Sequence, residues 1–103
     1  MNESDKIYEI NISTYAYKKL DKHFNFLSNI DENAAKKLYN DLIKVIESLI
    51  TFPNRNPFFN QQYIPINKYR YMVFKKRYRI IYYVENDIVY IENIQDCRQD
   101  NDF

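Results

Sequence analysis

Apolar and polar residues alternate from residue 7 to 12. Tyr8, Ile10 and Ile12 fall on one side of an extended chain, and Ile7, Glu9 and Asn11 on the other, which is the two-residue period of a strand. After Ser13 the period changes. Tyr17, Leu20, Phe24 and Leu27 recur at spacings of three and four, one face of a helix, with Ser13 as its N-cap and an end near Ser28-Asn29. Asp31 caps a second helix, on which Ala35, Leu38, Leu42, Val45 or Ile46, and Leu49 repeat the same spacing. This helix runs for about twenty residues and stops before Pro53, because proline excludes its predecessor from the helical region. So short a link between the two helices folds them into an antiparallel hairpin.

From Phe52 to Asn67 the chain is a connector, kept irregular by Pro53, Pro57 and Pro65, with Phe58 and Phe59 placed to tuck it onto the body. Strand patterns resume at 69–75 and 78–84. Glu85-Asn86-Asp87 reads as a tight turn in which Asn takes the left-handed conformation. Ile88–Ile94 is the last strand, and a polar tail begins at Gln95. With no repeat and no linker, residues 1–103 form a single domain of order β-α-α-β-β-β. Its class is α+β, a helical hairpin covering one face of a mostly antiparallel sheet.

Charge is sorted along this framework. The net charge is only +1, yet Lys68–Tyr83 holds six cations (Lys68, Arg70, Lys75, Lys76, Arg77, Arg79), no acid and five tyrosines. Such a stretch suits phosphates with its charges and bases with its rings. Residues 85–103 carry six acids against Arg98 alone. Arg79 also has a structural alternative, a salt bridge to Glu92 on the next strand. Among the tyrosines at 69, 71, 78, 82, 83 and 90, alternation points about half away from the helices.

Composition excludes several chemistries. The chain has no glycine, so it lacks a phosphate-cradling P-loop and a dinucleotide-binding turn. One Cys and one His make a zinc site unlikely to form, and no metal or cofactor is expected. His23 reads as a surface or boundary residue of the first helix. Cys97, beside Asp96, reads as an idle or packed thiol. No apolar run approaches the ~20 residues that span a bilayer, so no membrane association is expected. A polar start at Met1–Lys6 and a single cysteine point to the cytoplasm. Abundant Asn, Ile, Lys and Tyr match the AT-rich codons of a low-GC bacterium.

The element order, the Phe52-Pro53 end of the second helix, the strand Tyr78-Arg-Ile-Ile-Tyr82, the acidic turn and the closing Ile94-Gln-Asp-Cys-Arg98-Gln-Asp100 together resemble the RelE/ParE toxins of bacterial type II toxin–antitoxin modules. The resemblance implies a growth-inhibiting, plasmid-stabilising toxin neutralised by a cognate antitoxin protein. RelE-like members cut mRNA on the ribosome without a metal; ParE-like members poison DNA gyrase and are not nucleases. In the first case Arg79 and Arg98 match the family's catalytic arginines, and Arg70 and Met72 fall where RelE-like toxins carry lysines. The C-terminal Tyr or His of those enzymes is missing. Phe103 stands near its place and transfers no proton, and Asp96, Asp100 or Glu47 would have to substitute. The expected target- or nucleic-acid-binding set is Arg70, Lys75, Lys76, Arg77, Arg79 and Arg98. The long helical hairpin and the abrupt end after the last strand favour the ParE-like branch. A ribosome-dependent RNase is the alternative, and a non-toxic RNA- or protein-binding module a further one.

Overall fold

The structure, a computed structural model, describes residues 6–98. Strand β1 (Glu9–Ile12) leads through Ser13 into helix α1 (Thr14–Ile30), and Asp31 separates it from helix α2 (Glu32–Thr51). A 3-10 turn (Pro53–Arg55) opens the connector, and β2 (Arg70–Phe74), β3 (Tyr78–Glu85) and β4 (Ile88–Asp96) complete the chain. The sheet order is β1-β4-β3-β2, with β1 parallel to β4 and the other pairs antiparallel. The expected α+β architecture is the one observed.

Both helix caps form as read from the sequence. Ser13 Oγ accepts from the Ala16 N–H at 3.0 Å, and Asp31 Oδ1 accepts from the N–H groups of Asn33 and Ala34 at 3.0 and 3.2 Å. They satisfy donors that a helix start leaves without intrahelical partners. On α2 the stripe is Ala35, Leu38, Leu42, Val45 and Leu49, all buried, with Ile46 packed beside it. On α1 the stripe is rotated from the expected one. Ala16, Leu20 and His23 are buried, whereas Tyr17 is 52% exposed and Phe24 half-buried. Both stripes share Leu20 and Leu27. The fully buried Ala16 lets the helix approach the sheet closely, and the Tyr17 hydroxyl stays in water. His23, expected at the surface, is 4% exposed, and its Nε2 lies 2.9 Å from the Ile94 carbonyl oxygen. That contact supplies the hydrogen bond a buried imidazole requires.

The core lies between the helices and one sheet face, where Leu20, Leu38, Leu42 and Leu49 meet Tyr78, Ile80, Tyr82, Val89, Ile91 and Ile94. Tyr82 also anchors the connector. Its hydroxyl donates to the Pro53 carbonyl and accepts from Asn56 Nδ2 at 2.9 Å. Strand β4 continues past Ile94, so Gln95 and Asp96 belong to the buried sheet and not to a polar tail. Two local causes extend it. An irregularity at Ile81/Tyr82 leaves Glu92 as an extra residue in β4, and Asp96 has an ion-pair partner at the strand end.

A three-residue turn (Lys75-Lys76-Arg77) joins β2 to β3 and a two-residue turn (Asn86-Asp87) joins β3 to β4, and each holds two residues at positive φ: Lys75 55°, Lys76 56°, Asn86 52°, Asp87 65°. Asn and Asp tolerate this region, while lysine is disfavoured there by about 1 kcal/mol or more. The double substitution Lys75→Asn, Lys76→Asn is therefore expected to raise stability by about 1 kcal/mol, seen as a higher urea midpoint at unchanged m-value. The lost ion pair between Lys75 and Asp41 offsets only a few tenths, since exposed pairs contribute ~0.2–1 kcal/mol.

Candidate functional site

Alternation places the expected residues on three different surfaces. On the face away from the helices lie Tyr71 and Val73 of β2, Arg79, Ile81 and Tyr83 of β3, and Tyr90, Asn93 and Gln95 of β4, in cross-strand rows. One row ends in an aromatic ladder. Tyr83 stacks on Tyr90 with centroids 4.8 Å apart, Tyr69 meets Tyr83 edge-on at 5.7 Å, and Lys68 Nζ sits 4.6 Å from the Tyr83 centroid. Tyr78 and Tyr82 point into the core instead, where burial raises both phenols above their ordinary range.

Arg79 occupies the centre of this face, but it is held and partly covered. Its Nε donates to Gln95 Oε1 at 2.8 Å, and its guanidinium lies 4.8 Å from the centroid of Phe59, a connector residue that also packs edge-on against Tyr71. The partner is Gln95 and not the Glu92 of the structural alternative, and register sets which residue faces Arg79. Glu85 pairs with Ile88, and an unbroken ladder would set Arg79 opposite Ile94. The extra residue in β4 shifts the pairing so that Arg79 faces Gln95. Beside this pair Ile81 and Asn93 face each other, both fully buried, and neither Asn93 side-chain atom has a hydrogen-bond partner. Sequence reading missed Gln95 and Asn93, and it placed Phe59 against the body without placing it over Arg79. An alternation count that allowed for a β-bulge was the one signal for Gln95 and Asn93.

The other cations lie elsewhere. Arg70 Nη1 donates to the Asn56 carbonyl at 2.6 Å, and the guanidinium stacks 3.9 Å from the Phe58 centroid, so it fastens the connector. Arg77 donates through Nε and Nη2 to Asp96 Oδ2 at 3.1 and 2.8 Å. Asp96 is 1% exposed, and its Oδ1 accepts from the Arg98 N–H at 3.0 Å. Burial pushes the Asp96 carboxyl up, but the Arg77 hydrogen bonds, the Arg98 N–H and the charges of Arg77 and His23 outweigh it and hold the carboxyl below its ordinary value. Lys75 pairs with Asp41 of α2 at 3.3 Å, while Lys76 and the side chain of Arg98 are exposed.

The arrangement can position an anion, yet among the described residues it gathers no proton-transfer pair around Arg79. Its recorded neighbours are Gln95, Phe59 and Val73, and none of these titrates at an ordinary pH. Asp96 is spent on Arg77, and Glu47 stands exposed on α2. Asp100 and Phe103 lie outside the described residues. An open groove of ≈ 420 Å³ runs between the helices instead, lined by Phe24, Lys36, Tyr39 and Asn40, and none of the six expected binding cations lines it. Among the described residues, no helix is long and apolar enough to cross a membrane.

The sequence profile of a family described as the ParE toxin of the type II toxin–antitoxin system parDE matches residues 10–101. Among solved structures, the chromosomal ParDE toxin–antitoxin system of Pseudomonas aeruginosa is similar, with a TM-score of 0.72 at 13% identity, covering 87% of this chain and 96% of that one. A copper-bound mutant toxin from Helicobacter pylori follows, with a TM-score of 0.55 at 15% identity, covering 90% and 98%. At these identities the likeness is one of fold. No curated protein sequence matches the chain.

Proposed function

The chain belongs to the ParE toxin family of type II toxin–antitoxin systems, and from that premise we propose that it inhibits growth by poisoning DNA gyrase and is silenced by a cognate antitoxin. The observation that carries the choice of target is the state of Arg79. RNA cleavage without a metal needs a base for the 2′-hydroxyl and an acid for the leaving oxygen, and among the described residues the best-placed arginine has neither beside it. Gln95 and Phe59 hold it as part of a folded surface. Arginine itself stays charged at any ordinary pH and is a poor proton donor. A toxin acting by binding needs surface alone.

The test is induction of the chain without its antitoxin. DNA damage signalling with intact mRNA is the expected result, and purified gyrase with supercoiled plasmid should accumulate cleaved complexes. Neither the wild type nor a folded Arg79→Ala variant should cut mRNA on translating ribosomes. Rapid codon-positioned cleavage by the wild type, lost by about 10²–10³-fold in Arg79→Ala, would replace the gyrase reading with the nuclease one. Co-expression with the antitoxin should yield a tight stoichiometric complex, and growth unaffected by the free chain would remove the toxin reading.

A further inference from the structure

Two turns, each with a pair of left-handed residues, sit at opposite ends of one sheet and are built from different residues. Asn86-Asp87 joins β3 to β4 and Lys75-Lys76-Arg77 joins β2 to β3, with two consecutive residues at positive φ in each. Lack of glycine does not account for the lysines, since asparagine is plentiful in the chain and takes the left-handed conformation in the other turn. Packing does not account for them either. Lys76 is exposed, and Lys75 contributes a single partly exposed ion pair to Asp41. A residue type that local conformation disfavours, set at an exposed tip, marks a place where something other than stability decides the sequence.

The surroundings say what that is. Arg98 lies just past β4 at the same end, tied to the turn by the Cys97 N–H donating to the Arg77 carbonyl at 2.7 Å. Arg77 is neutralised by Asp96 and adds no free charge. At the opposite end Glu85 and Asp87 flank Asn86, and the Glu9 N–H donates to the Asp87 carbonyl. Lys6 pairs with Asp87. The sheet therefore has a cationic end and an acidic end, a polarity that orients the molecule in the field of a strongly anionic partner.

We infer that the Lys75-Lys76 turn, with Arg98 beside it, is a contact site for the phosphodiester backbone of duplex DNA. Lysine ammonium groups on flexible stems meet phosphates as point charges, whatever the base sequence. Contacts to phosphates carry no sequence information, so the contact is sequence-independent. This deepens the gyrase reading and rests on it for its setting: a poison of that enzyme works where the enzyme grips a duplex, and the turn touches the duplex.

The experiment compares the full wild-type chain with Lys75→Asn, Lys76→Asn, using a fluorescent duplex of about 30 base pairs at about 50 and 200 mM salt. Wild-type affinity should fall steeply with salt. The variant should bind about tenfold more weakly at the lower salt, with a salt slope shallower by about 1.8, at roughly 0.9 per phosphate contact. Its melting temperature should rise and its antitoxin complex should form as before, so unfolding cannot imitate the result. It should also need more toxin to stabilise cleaved gyrase complexes. Equal affinity and slope in the two proteins would overturn the inference. Weakened gyrase poisoning with unchanged DNA binding would overturn it too, assigning the turn to an acidic protein surface. Wild-type duplex binding that depends on the lysines, without any cleaved gyrase complex, would support the contact and sink the gyrase reading instead.

Discussion

Replacing Arg77 with methionine is expected to cost about 3–5 kcal/mol at neutral pH, because it leaves the Asp96 carboxylate buried without its cation. The Arg98 N–H remains as one hydrogen-bond donor, too little to offset desolvation of a full charge. The pH dependence separates this from simple loss of packing. In the wild type the folded Asp96 value is depressed below the unfolded value of about 3.9. The pair's contribution is thus fully present above the unfolded value and is lost as pH falls through the lower folded one. In Arg77→Met, burial loses the chief group that opposes it and should move the carboxyl upward. Part of the deficit should then be recovered as acid protonates Asp96. Urea unfolding at pH 7 and pH 4.5 would show this as a narrowing gap between the two proteins. A gap that stays constant with pH would mean the ion pair contributes through shape alone.

Leu42→Ala should destabilise by about 2–5 kcal/mol. Leu42 is 2% exposed, midway along the α2 stripe, and belongs to the cluster that joins both helices to the sheet. Its loss removes transfer free energy and leaves a cavity that neighbours on rigid elements can fill only in part. The measurement is the urea midpoint of the purified chain. A change below about half a kcal/mol, the size usual for a surface site, would contradict the central place given to this residue.

The two substitutions probe parts of the molecule that differ in how openly the sequence displayed them. Leu42 was legible, because a three-four spacing over about four turns of α2 admits one buried face. The Ser13 and Asp31 caps were legible for the same local reason: a short polar side chain before a periodic segment meets the free N–H groups of the next turn. The Asn86-Asp87 turn followed from residue type. On α1 the pattern was ambiguous, since the stripes through Ala16 and His23 and through Tyr17 and Phe24 both contain Leu20 and Leu27. Close approach to β4 decided between them, and that is a property of the assembled layers.

The sequence by itself determined the order of elements, the helix caps, the α2 core stripe and the concentration of cations in the β2–β3 hairpin, all of which depend on neighbours within a few residues. Tertiary structure alone decided how those cations are used. One extra residue in β4 set Arg79 opposite Gln95 in place of Ile94. A buried carboxylate at the end of that strand claimed Arg77, the connector claimed Arg70, and Phe59 came down over Arg79. Each outcome depends on cross-strand register and on a connector folding back across a sheet, contacts between residues far apart in the chain whose pairing no local pattern encodes.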